Sequence, residues 1–340
     1  MKPSTLLIFF VSVTVFLAIW IWILRSWKRR AKLRLTLARL TVLVATCIYL
    51  FIILEFLCYS VFTYSDGFGI TLSAQRWAQK YWRPINSFGY RDVEHTPAEL
   101  ENKQVIFVVG DSFAAGHGID SIDDRFSNLL QKNLGAQYVV VNIARAGWDT
   151  AYEYNAIATY PGRPKRIVLQ YFVNDIDGVA RRAGLLPTVL AEPPKNPTLA
   201  YVVDNSYFAN FVYWRLYRLR YQEMGIEYWR AILNSYANPD VWAAHAAELD
   251  KIVQFTQARG IALTVVIFPN LAAIKDSVPI TSKVGQFFRD RNVRVIDLEP
   301  VLESRDSGTL VVNSADSHAN KAVHREVADL LTREAREQGW

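Results

Sequence analysis

Gln104-Val-Ile-Phe-Val-Val-Gly110-Asp111-Ser112 is the stretch whose reading decides the fold. An uninterrupted apolar run rich in β-branched residues is the pattern of a strand buried on both faces, as in a parallel sheet. It ends in a glycine, an acid and a serine, where an α/β sheet opens its crevice at the carboxyl ends of its strands. A serine at that point is a candidate nucleophile. It needs a base, an orienting acid and oxyanion donors supplied from elsewhere in the chain.

Working outward, short apolar runs at 138–142, 166–172, 262–268 and 293–298 read as further strands. Helical patterns fall between and after them, at 125–133, 150–160, 240–259, 280–292 and 320–338. Alternating strands and helices predict a three-layer α/β/α domain over 104–340 with a parallel, flavodoxin-like five-stranded sheet. A segment at about 178–239 breaks the alternation. It opens with Pro187, Pro193, Pro194 and Pro197 and continues as an amphipathic helical pattern, Tyr207 to Arg220, followed by Tyr221, Tyr228 and Trp229. Two readings stand for this insertion: a lid or interfacial surface that meets lipid or glycan, or a helical pair covering one edge of the sheet.

The first 64 residues differ from the rest. Residues 5–24 carry no charge, and 40–63 carry only Glu55. About 20 apolar residues at ~1.5 Å rise span a ~30 Å hydrocarbon core, so a two-helix transmembrane hairpin is expected at 1–64. A cleaved signal peptide fits the first stretch less well, because it is long, holds Trp20 and Trp22, and precedes a second span. The loop at 25–39 holds Arg25, Lys28, Arg29, Arg30, Lys32, Arg34 and Arg39. By the positive-inside rule it stays in the cytoplasm, and the domain after Thr63 faces the periplasmic or extracellular side.

Residues 1–64, Lys2 included, carry eight Lys or Arg against one acid; the chain as a whole is +6, so residues 65–340 sum to −1. The positive charge is thus a topology signal, and nucleic acid is not an expected partner. Both cysteines, Cys47 and Cys58, lie in the second apolar stretch, which leaves the external part without disulfides or thiolate metal sites. Glu55, alone in an apolar span, reads either as functional or as a carboxyl near the outer interface or neutral within the hairpin. Residues 65–103 read as a connecting segment in which Trp77, Tyr81 and Trp82 either sit at the headgroup level or pack on the domain, the first suiting their position better.

Beyond the serine, three further blocks follow in order. Val139-Val-Val-Asn142 leads into Ile-Ala-Arg-Ala-Gly147-Trp-Asp149; Leu169-Gln-Tyr-Phe-Val-Asn174-Asp175 comes next; Asp316-Ser-His318-Ala-Asn320 precedes the last helix. Together with Gly110-Asp111-Ser112 these resemble the four blocks of the SGNH (GDSL-like) hydrolase superfamily. The resemblance covers roughly residues 86–338. It implies Ser112 as nucleophile, His318 as base and Asp316 as its orienting acid. It also implies an oxyanion hole from the N–H groups of Ser112 and Gly147 and the Asn174 side chain. A serine hydroxyl is a poor nucleophile until a base removes its proton, and the oxyanion formed by attack needs donors already in place.

The remaining histidines fit the role less well: His117 lies close to Ser112 in sequence, His324 falls in the last helix, and His95 and His245 lack context. The chain also departs from the family pattern. Phe172 stands where a glycine is frequent, Ala315 where many members hold the acid, and Ala319 where a proline is usual. A Ser112–His318 dyad oriented by a backbone carbonyl therefore stays open beside the triad. The resemblance implies a serine esterase or deacylase acting through acyl-Ser112, which the hairpin would hold outside the cytoplasm; no histidine–carboxylate cluster has ligand spacing in the sequence, so no cofactor or metal is expected. Anchoring at the lipid bilayer points to acyl esters of envelope glycans or lipids. Two alternatives remain: an O-acyltransferase served by an acyl-donor membrane partner, and a non-catalytic envelope-assembly protein retaining the fold.

Overall fold

The computed structural model describes residues 3–26, 31–186, 191–220 and 222–340. Lys2, Lys28, Arg29, Arg30, Pro187 and Tyr221, used in the sequence reading, lie outside these. The chain divides into two compact units. One comprises Met1–Tyr64, Ile70–Arg76 and Ala191–Tyr221; the other comprises Ser65–Gly69, Trp77–Leu190 and Gln222–Trp340.

The second unit holds a five-stranded sheet: β1 Gln104–Gly110, β2 Tyr138–Ala144, β3 Arg166–Phe172, β4 Ala262–Phe268 and β5 Arg294–Asp297. The order is β2-β1-β3-β4-β5 and every pairing is parallel. That is the flavodoxin-like order, with a switch between β1 and β3 at which the crevice opens. Alternate side chains of β1 enter two separate cores. Val105, Phe107 and Val109 pack with Val141, Ile157 and Val265; Ile106 and Val108 pack with Phe126, Val140 and Leu331. The continuous apolar run is thus the consequence of helices covering both faces. Helices Phe126–Leu134 and Lys321–Gln338 cover one face, and Thr150–Thr159 and Pro239–Ala258 the other. A small antiparallel pair, β6 Val311–Asn313 and β7 Asp316–Ala319, precedes the last helix; the sequence reading did not anticipate it.

In the first unit, two helices, α1 Pro3–Ser26 and α2 Ala31–Val61, pack together. Trp20 Nε1 donates to Thr41 Oγ1 at 2.8 Å, and the Thr14 and Tyr49 hydroxyls lie 3.0 Å apart. Among the described residues one helical stretch, Lys32–Val61, is long and apolar enough to cross a membrane; α1 holds a shorter apolar stretch, Phe10–Ile23.

Glu55 is not left alone in α2. Its carboxylate accepts Ser206 Oγ–H at 2.7 Å and the N–H groups of Tyr207 and Phe208 at 2.9 Å each. It therefore caps the N-terminus of the helix Tyr207–Arg220, where free N–H groups and the helix dipole favour an anion. Phe62 and Phe211 stack in the same unit, with centroids 4.9 Å apart. The insertion at 178–239 is split. Helices Pro197–Asn205 and Tyr207–Arg220 belong to this unit, and Gln222–Ala237 belongs to the sheet unit, where Tyr228 donates to Asp177 at 2.9 Å.

Trp77 and Trp82 differ from expectation. Trp77 is buried, donates to Asp120 at 2.8 Å, and stands with Trp82 around His117 in the sheet unit. A hydrogen-bond partner for the indole and a tilted imidazole 5.5 Å away offset what a headgroup layer would have offered it.

Candidate active site

Gly110 ends β1 where a side chain has no room. A Cβ there would lie 2.4 Å from Gln170 Oε1 and 2.9 Å from the Ala114 Cβ. That close approach lets Gln170 Oε1 accept the N–H groups of Asp111 at 3.2 Å and Ala114 at 3.0 Å, pinning the strand end to the following turn. Asp111 then caps the single helical turn Ser112–Ala115 by accepting the Phe113 N–H at 2.8 Å. Ser112 is thereby fixed at the strand's carboxyl end, 8% exposed.

The β6–β7 pair brings the other groups to it. Asp316 opens β7, and the His318 N–H donates back to Asp316 Oδ1 at 3.1 Å. The same oxygen stands 2.5 Å from His318 Nδ1, while His318 Nε2 stands 2.8 Å from Ser112 Oγ. A carboxylate accepts only, so Nδ1 carries the proton and Nε2 offers its lone pair to the Ser112 hydroxyl. This is the tautomer a general base requires. A carboxylate side chain, and not a backbone carbonyl, stands at His318 Nδ1.

Asp316 is buried, yet it is held well below the usual carboxylate range. Burial pushes it up, but the His318 hydrogen bond and charge, His117 and the Ser65 hydroxyl together outweigh that. Phe113 lies 5.0 Å from the His318 ring, and Phe172 lies 4.2 Å from Phe113. Phe172 therefore forms part of an aromatic wall beside His318.

The three oxyanion candidates are placed as follows. Ser112 begins its helical turn, so its N–H has no intrahelical acceptor. Gly147 sits in the turn after β2 at φ +79, with nothing within 4 Å of a would-be Cβ. Glycine is needed there for the backbone conformation, not for space. Among the described residues, no acceptor takes the N–H of Ser112 or Gly147. Asn174 follows β3 with its amide beside Asp111, and its Oδ1 is buried without a partner. It is not a helix cap: Ile176 stands at that position before Asp177–Arg182.

Sequence reasoning missed two features of the site. His117, set aside as the base, lies next to the acid. Its Nε2 is 3.7 Å from Asp316 Oδ2, and its ring is 4.5 Å from the His318 ring. Burial, then the His318 charge, lowers it to about 4, so it is neutral at pH 7. His117, Asp316 and His318 are the one described His/Cys/Asp/Glu group with ligand atoms within 4.8 Å of one another. Both Asp316 oxygens and both His318 nitrogens are already hydrogen-bonded, and His117 Nε2 donates to the Asp66 carbonyl at 2.9 Å, so each of the three side chains is engaged within the protein.

The second missed feature is a cluster of buried acids, Asp111, Glu153 and Asp175, each 0% exposed. Burial pushes Asp111 up to about 6, with its bonded Phe113 N–H, the His318 charge and the amides of Gln170 and Asn174 pulling the other way. Burial first, then mutual repulsion, drives Glu153 and Asp175 well above the carboxylate range. The other histidines are structural. His324 Nδ1 accepts the Phe126 N–H at 3.2 Å, His245 Nε2 meets Tyr171 at 2.8 Å, and His95 pairs with Asp92 at 3.2 Å.

No family model matches the sequence, and no curated protein matches it. Solved structures do. The chain is similar to TesA, with 15% identity over 69% of this chain and 99% of that one, at a TM-score of 0.42. It is similar to the psychrotrophic esterase EstA from Pseudoalteromonas sp., with 15% identity over 69% and 98%, at 0.40. The lipase/acylhydrolase from Enterococcus faecalis gives 13% identity over 69% and 96%, also at 0.40.

Proposed function

We propose that this chain is a membrane-anchored serine hydrolase of the SGNH type, an esterase or deacylase working outside the cytoplasm. The observation that carries this reading is the line from Asp316 through His318 to Ser112, at 2.5 and 2.8 Å. In the proposed reaction Ser112 Oγ attacks the acyl carbon while His318 Nε2 takes its proton. Asp316, already ionised, stabilises the imidazolium that forms. The oxyanion meets the N–H groups of Ser112 and Gly147 and the Asn174 amide. Collapse expels the alcohol, which receives the proton from His318 and leaves acyl-Ser112. Water, deprotonated by His318, then releases the acid and restores the serine.

Two features support the anchor. The stretch Lys32–Val61 holds an apolar window with a mean hydropathy of 2.5, and α1 packs on α2 through a second apolar stretch. In this reading both helices span, the basic loop at 25–39 stays in the cytoplasm, and the sheet unit works outside. Leu199, Tyr201, Leu216 and Leu219 are exposed on the helices Pro197–Asn205 and Tyr207–Arg220, as lipid-facing side chains would be. Tethering there favours acyl esters of envelope glycans or lipids as substrates.

The test is fluorophosphonate labelling of the full chain in detergent. Wild type is expected to label, and Ser112→Ala not at all. An unlabelled wild type, or equal labelling of both, overturns the proposal and leaves an assembly protein. Products from an acylated glycan, with and without an acceptor sugar, separate hydrolysis from acyl transfer; transfer would call for a membrane partner that delivers the acyl donor.

A further inference from the structure

We propose that Ser65 is a positioning residue for the Asp316–His318 pair, which makes the turn at 65–69 part of the active site. The inference rests on the serine-hydrolase reading above.

Asp316 has two carboxylate oxygens and no exposed side-chain surface on which water could hold either. Oδ1 is engaged by His318, through both Nδ1 and the backbone N–H. Oδ2 is engaged by the Ser65 hydroxyl, from a residue 251 positions earlier in the chain. A carboxylate anchored at one oxygen is free to turn about its Cβ–Cγ bond, and His318 Nδ1 turns with it. Anchored at both, it fixes the imidazole plane and so the lone pair aimed at Ser112. Positioning of this kind matters because a misplacement of about 1 Å costs up to about 10²-fold in rate.

The serine is itself held. The Ser65 carbonyl accepts Asn313 Nδ2 at 3.1 Å, and the Gly67 N–H donates to the Ala315 carbonyl at 3.0 Å. These two bonds grip the residues that join β6 to β7, immediately ahead of Asp316. Asp66 Oδ1 closes the turn by accepting the N–H groups of Phe68, at 2.9 Å, and Gly69. The Asp66 carbonyl accepts His117 Nε2–H at 2.9 Å, which fixes that ring in one tautomer beside His318. Trp77 and Trp82, with centroids 5.5 and 5.8 Å from His117, close the outer side. Ser65 and Asp66 are buried, at 1% and 2% exposure. Ser65 follows Val61, the end of α2, by only four positions. The stretch that reads as a tether in sequence thus supplies a hydroxyl to the catalytic acid.

The experiment compares Ser65→Ala and Ser65→Thr with wild type in the full chain, using a chromogenic acetate ester and a fluorophosphonate. In Ser65→Ala, kcat is expected to fall about tenfold with KM within twofold, and labelling to slow by a similar factor. Ser65→Thr keeps the hydroxyl and is expected to recover most of the loss. Ser65→Ala within twofold of wild type in kcat overturns the proposal. So does an equal loss in both variants, which would mean that the turn's shape matters and not its hydroxyl. A wild type that neither turns over the ester nor labels sinks the hydrolase reading itself, a result distinct from either of these.

Discussion

The two sides of Ser112 treat buried carboxyls in opposite ways. On the β6–β7 side, Asp316 is buried yet ionised, because His318 and Ser65 supply a proton donor at each oxygen. On the sheet side, Asp111, Glu153 and Asp175 are equally buried, and all three are raised. Both Glu153 oxygens lack any partner. Burial alone therefore does not decide ionisation; the donors that face each oxygen do. One side keeps a charge to stabilise an imidazolium, while on the other Glu153 and Asp175 hold on to their protons well above the ordinary carboxylate range. Separating the ionisation of neighbouring acids in this way is how one site runs acid and base chemistry together.

The sharpest way to break this contrast is to neutralise one carboxyl on each side. Asp316→Asn removes the charge and the acceptor that fix the His318 tautomer, so kcat is expected to fall by about 10⁴. Asp111→Asn replaces a carboxyl whose charge burial already disfavours, pushing it up to about 6, and keeps an acceptor for the Phe113 N–H, so its kcat is expected to stay within about tenfold of wild type. Steady-state kinetics on a chromogenic ester decides the matter: equal losses would show that the two sides are not different in kind. A smaller effect is expected at the oxyanion. Asn174→Ala removes one donor and should lower kcat by about 10²–10³ with little change in KM. If KM rises and kcat holds, Asn174 binds the ground state instead.

The same division runs through what the sequence made legible. The apolar runs at β1 to β4 were readable because burial on both faces leaves no room for polar residues. Ser112, Gly147, Asn174 and the Asp316–His318 pair were readable because each sits in a short local block. Ser65 and His117 were not. Their partners are distant in sequence, and neither a serine in a turn nor a histidine after a glycine carries a periodic signal. Trp77 and Trp82 read as membrane-facing because an aromatic side chain close after an apolar span is ambiguous until its partner is known. Glu55 was open for the same reason; its three donors begin 151 residues away. Glu153 lies one turn into the helix Thr150–Thr159, where an acid ordinarily reads as a favourable exposed charge.

Glu153 also gives the smallest and most specific test, through stability and not rate. Its folded-state carboxyl is raised, so above the ordinary value of 4.5 the unfolded chain has lost a proton that the folded chain still holds. Fewer protons on the unfolded state mean that stability falls as pH rises, by up to about 1.4 kcal/mol per pH unit for one group. His117, His245 and His324 pull the other way, since burial lowers them to about 4, 3 and 3 and each must gain a proton on unfolding below about pH 6.5. A melting curve of wild type alone mixes these opposing slopes. The difference between Glu153→Gln and wild type removes the histidines from the comparison, and the amide can donate to the neighbouring acids. The two proteins are expected to melt together near pH 4, with the variant gaining above 4.5 and more stable than wild type at pH 8. Thermal unfolding of the full chain in detergent across that range reads the gap. A gap that stays constant with pH would mean that Glu153 is ionised in the folded protein.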